Sequence, residues 1–250
     1  TGVRIPVIQE IPSFGGAGAA PFGVAEVLQT TVRCRPTSRR LPRIRLLRGD
    51  VAAGHDGDRE LLEIAERSLA AAEAVPAGEG GSPYPPSFDL GLAPDDPMFR
   101  GDSAGLGLAA CFVGALKAAL SAGGGFRPAG DLAWSGSILS DGRIRDVTPE
   151  SLGIKVRAAY FAGYRGIVVP QAQVAAARAA LPPAAASTGP SPTIGISGST
   201  GGGGGTATGR SGDAPGRANA FTVFGLSHLR ELPDSPDLVE PWSIPAHHLV

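Results

Sequence analysis

The chain has 250 residues, 42% of them hydrophobic and 18% charged, with a formal net charge of −1. That composition can bury a core in one large or two small domains, and it excludes the overall basic field that nucleic-acid binding draws on. The 37 glycines and 23 prolines are clustered, which predicts a folded body with a disordered insertion rather than a disordered protein.

Residues 1–20 read as an arm or loop, ending in Phe14-Gly15-Gly16-Ala17-Gly18. They carry neither the charged region nor the long apolar run of a signal peptide. Residues 22–34 are rich in Val and Thr and read as a strand. Arg35-Pro36-Thr37-Ser38 follows as a turn, and residues 44–47 as a second strand. The local arginine richness of residues 33–48 reads as a solvated loop and strand edge. Residues 58–75 predict a helix, because Leu61, Leu62, Ile64, Ala65, Leu69 and Ala72 recur at helical spacing. Asp58 is its expected N-cap, Glu63 and Arg67 an expected i,i+4 pair, and Pro76 its stop. Residues 76–87 form a loop and residues 88–92 a short strand. A second helix starts at Asp102 or Ser103 and runs to about Leu120, closed by Gly123-Gly124-Gly125. Residues 131–139 read as a strand, Asp141-Gly142 as a hairpin turn and residues 143–147 as the returning strand. Residues 151–162 form a helix ended by Gly163, Gly166–Pro170 a buried strand and residues 171–181 a short helix.

Residues 182–217 are low in complexity, with five consecutive glycines, and bury too little apolar surface to order themselves. Structure resumes with a strand at 221–224 and a short helix at 227–232. The remainder to Val250, with His247-His248, reads as a tail. One body thus comprises residues 21–181 and 218–232, with an arm at 1–20, an insertion at 182–217 and a tail at 233–250. No apolar run approaches ~18 residues, so no membrane span is predicted. The two cysteines, Cys34 and Cys111, lie too far apart to suggest a metal site or disulfide framework, which favours a reducing intracellular compartment.

Gly204-Gly205-Thr206-Ala207-Thr208-Gly209-Arg210-Ser211 nearly spells a phosphate-binding loop, but its lysine is an arginine and no strand precedes it. Gly15-Gly16-Ala17-Gly18 lacks the frame too, so no ATPase module is read in the chain. Ser103, inside Gly101-Asp102-Ser103-Ala104-Gly105, stands out instead. A serine at a helix start serves as a cap. Spacing alone favours that cap; the other use is as a nucleophile, with unpaired N–H groups and the helix dipole stabilising an oxyanion. The small neighbours leave room for a substrate carbonyl. Such a serine needs a base. His55 and His228 are isolated and the other histidines lie in the tail. A lysine in an apolar site can serve. Lys117 lies about four turns along the same helix and cannot reach; Lys155, after the hairpin, can.

These residues resemble the proteolytic domain of Lon-type Ser-Lys peptidases. Residues 101–105 are similar to that family's Gly-Pro-Ser-Ala-Gly turn, and Trp134-Ser135-Gly136-Ser137 to its Thr-Gly-Glu strand. Asp141-Gly142-Arg143-Ile144 is similar to the hairpin that follows, and Leu152-Gly153-Ile154-Lys155 to its Gly-Gly-Leu-Lys. Residues 163–170 and 221–232 resemble its later strands and closing helix. The likeness spans residues 88–174 and 220–232, and 22–75 in outline only. It implies an α/β (α+β) mixed-sheet fold with helices packed on short sheets. It also implies a serine endopeptidase that hydrolyses peptide bonds of unfolded proteins. In that reading Ser103 is the nucleophile, Lys155 the general base and Ser135 the residue that orients the lysine. N–H groups around Asp102 and Ser103, between Gly101 and Gly105, form the oxyanion hole. The resemblance further implies no cofactor in this chain, ATP acting only through a separate AAA+ ATPase partner, unfolded polypeptide as substrate, and a homo-oligomeric ring.

Three departures accompany it. Asp102 replaces the proline and sets a carboxylate beside the developing oxyanion. Ser137 replaces the glutamate. Counting back from Gly163 without a gap puts Gly153 at the lysine position, and two residues on a helix is about 200° of rotation. Lys155 therefore reaches Ser103 only if residues 148–151 and the first helical turn are rearranged. The stretch from Lys155-Val156-Arg157 to Gly163-Tyr164 also resembles the Lon-like domain of RadA-type DNA-repair proteins. That domain implies the alternative of a catalytically inactive scaffold for assembly or binding.

Overall fold

The computed structural model describes residues 2–10, 23–35, 43–48, 51–52, 56–75, 87–92, 101–120, 125–182 and 221–242. The architecture is mixed α/β, with helices packed against several short parallel and antiparallel sheets. The largest sheet is built from β1 (Gly2–Glu10), β2 (Gly23–Arg35), β3 (Ile44–Arg48), β4 (Val51–Ala52) and β5 (Ser87–Leu92), in the order β1-β2-β5-β3-β4. β1 runs antiparallel to β2, from Gly2 opposite Thr31 to Glu10 opposite Gly23. This corrects the reading of residues 1–20 as an arm. Pro6 argues against a strand in sequence, but β1 is an edge, and an edge has one side on which no ladder bond is needed.

α1 (Asp56–Glu73) turns Leu61, Ile64, Ala65, Leu69 and Ala72 into the core. It begins ahead of Asp58, which is buried inside the first turn rather than capping it. Glu63 pairs with Arg59 at 3.2 Å rather than with Arg67, because Arg67 is engaged elsewhere. α2 (Gly105–Leu120) is the centre of the molecule. Its residues 106, 108, 109, 110, 111, 112 and 113 are all buried, which is why it shows no polar face. Phe112 meets Phe88 of β5 edge to face at 5.0 Å between centroids, worth about 1 kcal/mol beyond simple burial. Burial also pushes the Cys111 thiol far up, which leaves it unreactive.

A second layer is a parallel sheet of β7 (Leu132–Trp134), β10 (Gly166–Pro170) and β11 (Thr222–Leu226), with β10 central. β10 is buried along its whole length, as its Ile-Val-Val run predicts for a central parallel strand. α3 (Pro149–Phe161) and α4 (Val174–Ala179) cover it, and Leu152, Val156, Ala159 and Ala177 join Ile167 and Val169 in a second apolar cluster. The hairpin forms around Asp141-Gly142, between β8 (Ser137–Ile138) and β9 (Ile144–Arg145). Residues 171–173 form a 3₁₀ turn ahead of α4, and Leu229–Asp234 is a 3₁₀ turn rather than an α-helix.

The tail is also corrected. β6 (Gly125–Pro128) pairs antiparallel with β12 (Val239–Trp242), and Leu238 is 3% exposed. The body therefore runs past residue 232. The insertion beyond residue 182, the glycine-rich segments at 15–18 and 204–211, and His55, His247 and His248 lie outside the described residues. Among the described residues, no helix is long and apolar enough to cross a membrane.

Candidate active site

Gly101 carries φ +79°, a backbone conformation that costs glycine little. It turns the chain into a 3₁₀ turn over Asp102–Ala104 that runs directly into α2. Ser103 thus stands at the head of the most buried helix. The N–H groups of Asp102 and Ser103 have no carbonyl one turn earlier within the helix to accept them. Gly105 lets β8 close on the turn, since a Cβ there would lie 3.1 Å from Ile138 Cγ2. The backbone locks this contact. Gly136 N–H donates to Ser103 O at 3.0 Å, and Leu106 N–H donates to Gly136 O at 2.9 Å. Ser135 N–H donates to Val168 O at 2.9 Å, tying the same segment to β10.

The lysine arrives from the other layer. α3 starts behind Thr148 with Pro149 in its first turn, where proline is preorganised for a helix. The residue ahead of it is pinned. Gln173 Nε2 donates to Val147 O at 2.6 Å, and Val147 N–H donates to Gln173 Oε1 at 3.0 Å. This clamp sets where α3 begins and hence which face meets the core. Lys155 is 3% exposed, and its Nζ donates a hydrogen bond to Ser103 Oγ. A Cβ on Gly153 would instead meet Arg157 Nη1 at 3.7 Å and Ala180 Cβ at 3.8 Å. The ungapped count thus points to a residue on the α4 side of the helix, and the chain brings Lys155 to the serine. Burial pushes the Lys155 ammonium down from its usual range to about 8.

Asp102 does not stand as a bare carboxylate beside Ser103. Arg67 Nη2 of α1 donates to Asp102 Oδ1 at 2.6 Å, so its charge is compensated. Ser137 Oγ lies 3.5 Å from Asp102 Oδ2, at the outer limit of a hydrogen bond. Ser135 is fully buried, and its Oγ has no hydrogen-bond partner among the described residues. It therefore does not hold the lysine, as the resemblance implied it would.

Sequence reasoning missed Glu60, Ser68 and Gln173, and it set Arg67 against Glu63 rather than Asp102. Ser68 left a signal. It interrupts the apolar stripe of α1 one turn after Ile64, and a polar group on a core face needs a partner. Its single O–H is shared between Ile64 O at 2.7 Å and Gly105 O at 3.1 Å. Among the described residues, no group of His, Cys, Asp or Glu could hold a metal ion.

A serine hydroxyl touching a buried lysine of lowered pKa, at a helix head whose first N–H groups have no partner within the helix, has the components of acyl-transfer chemistry. Comparison of the sequence with protein-family models and with curated proteins finds no match.

Proposed function

We propose that the chain is a Lon-type serine endopeptidase acting on unfolded polypeptide through Ser103 and Lys155. The observation that carries this reading is the hydrogen bond between Lys155 Nζ and Ser103 Oγ in a buried setting. With its pKa lowered to about 8, a useful fraction of Lys155 is neutral near pH 8 and can take the Ser103 proton. Ser103 Oγ then attacks the scissile carbonyl. The N–H groups of Asp102 and Ser103 receive the developing oxyanion, helped by the positive end of α2. Lys155 returns the proton to the leaving amine, and water, deprotonated by the same lysine, releases the acyl group from Ser103. Charge on the oxyanion would be opposed by Asp102, and the ion pair with Arg67 offsets that opposition.

An extended chain is the substrate, since no unfolding module is read in this sequence; a separate AAA+ ATPase would supply unfolding. The second reading is a catalytically inactive Lon-fold scaffold. It is favoured by the Ser135 hydroxyl, which has no partner among the described residues and gives Lys155 no orienting bond. Casein hydrolysis by the wild type, Ser103→Ala and Lys155→Ala separates the two. Loss of activity in both variants supports the peptidase. Activity unchanged in both, or none in the wild type, rejects it.

A further inference from the structure

α1 grips the Ser103 turn at three successive points. Glu60 Oε1 accepts the Gly101 N–H at 2.8 Å. Arg67 Nη2 donates to Asp102 Oδ1 at 2.6 Å. Ser68 Oγ donates to Gly105 O at 3.1 Å. Residues 60, 64, 67 and 68 share one helix face by their spacing, so the three contacts come from one side. On the opposite side, among the described residues, the turn is held by backbone bonds with Gly136, by Lys155 Nζ on Ser103 Oγ and by Ser137 Oγ 3.5 Å from Asp102 Oδ2.

The contacts are distributed in an informative way. Glu60 and Ser68 hold the ends of the turn, while Arg67 holds the residue bonded directly to Ser103. Arg67 and Asp102 are 36% and 47% exposed, so solvent screens the pair and its contribution to global stability is small. An ion pair of little value to the fold, placed next to a reacting serine, points to a role in placing that serine. We propose that Arg67 is a positioning residue that moors the Ser103 turn to α1 through Asp102. Glu60 supports the same mooring at Gly101.

The geometry supplies a replacement for the mooring. Asp102 is the first residue of its helical turn, and Gly101 before it has ψ 153°. A proline at position 102 fits both conditions: its fixed φ suits a helix start, and the residue before it must be extended in ψ. A ring at this position would stiffen the turn without any ion pair.

The inference rests on the peptidase reading, and its test has one arm that does not. Hydrogen exchange of the amides of residues 101–106 is measured in the full chain for the wild type, Arg67→Ala and Arg67→Ala/Asp102→Pro. Steady-state peptide hydrolysis is measured on the same proteins. Arg67→Ala is expected to speed exchange of these amides and to lower kcat about tenfold with KM little changed, since a small misplacement of a reacting group has effects of that order or more. The double variant gives up the Asp102 N–H and with it one oxyanion donor, so it is expected to restore slow exchange at residues 103–106 only, and Arg67→Lys to recover part of both readouts. Exchange in Arg67→Ala equal to the wild type overturns the mooring, whatever the activity. A double variant whose amides at residues 103–106 exchange as fast as in Arg67→Ala overturns it too. Absence of Ser103-dependent hydrolysis in the wild type rejects the peptidase reading, while the exchange arm still decides whether Arg67 holds the turn. A variant that fails to fold is recognised by loss of amide protection throughout α2, and Arg67→Lys then carries the comparison.

Discussion

The two halves of the candidate site are built on different physics. Ser103 is delivered by a turn held from α1 by the exposed Glu60, the buried Ser68 and an ion pair open to solvent. Lys155 is delivered by a helix whose start is clamped by a buried amide and whose base-bearing face is in the core. The serine side is cheap to disturb and contributes little to the fold. The lysine side is costly, because a desolvated ammonium is held there against its preference for water. In the proposed peptidase, reactivity on the lysine side is obtained at the expense of stability; on the serine side it depends on placement.

The sharpest break in this comparison is removal of either reacting group. Ser103→Ala and Lys155→Ala should each reduce peptide hydrolysis by about a thousandfold or more. Their consequences for stability should differ. Ser103→Ala should leave unfolding in urea nearly unchanged. Lys155→Met, which keeps the length and removes the charge, should stabilise the protein by about 1–3 kcal/mol at pH 7. The sign follows from the titration. The folded-state pKa of about 8 lies below the model value of 10.5, so the unfolded chain binds more protons between these values and wild-type stability rises with pH across that window. The penalty is full below pH 8, so the advantage of Lys155→Met should fade as the pH approaches 10.5. An unchanged gap between pH 7 and 10 in urea titrations would contradict a lysine buried as an ammonium.

Gln173→Leu probes the clamp. It strips partners from both backbone groups of Val147, which should cost about 2 kcal/mol. It should also lower kcat by freeing the start of α3. A loss of stability with kcat unchanged would mean that Val147 does not set the phase of Lys155. The smallest effect is expected at Arg59, whose pair with Glu63 is exposed on both sides. Arg59→Ala should stay within about 0.5 kcal/mol of the wild type in stability and match it in activity. This makes it the control for other charge changes on α1.

What could be read from sequence follows the same division between local and non-local causes. The apolar spacing of α1, the Asp141-Gly142 hairpin and the Ile-Val-Val run of β10 are local signals, and the structure carries all three. β1 and β12 were hidden because Pro6 and Pro241 speak against strands, and each strand gains its pairing only from a distant partner. Ser103 was legible from its own neighbours. The phase of Lys155 was not, because it depends on Gln173 binding back to Val147, 26 residues away. The grip of Arg67 on Asp102 spans 35 residues and leaves no local pattern. In sequence Arg67 reads as the i,i+4 partner of Glu63 and Asp102 as a carboxylate beside the oxyanion, so neither points to the other.

The most direct test is the pH dependence of Ser103 acylation by an active-site-directed reagent, followed by mass spectrometry in wild type and Lys155→Ala. If Lys155 is the base, the wild-type rate rises with pH and levels off above about 8, the value to which burial brings the lysine. In Lys155→Ala the rate is low and this inflection is absent. A wild-type profile with no inflection near pH 8, or a Lys155→Ala profile equal to that of the wild type, would contradict the pairing of Ser103 with Lys155 as nucleophile and base.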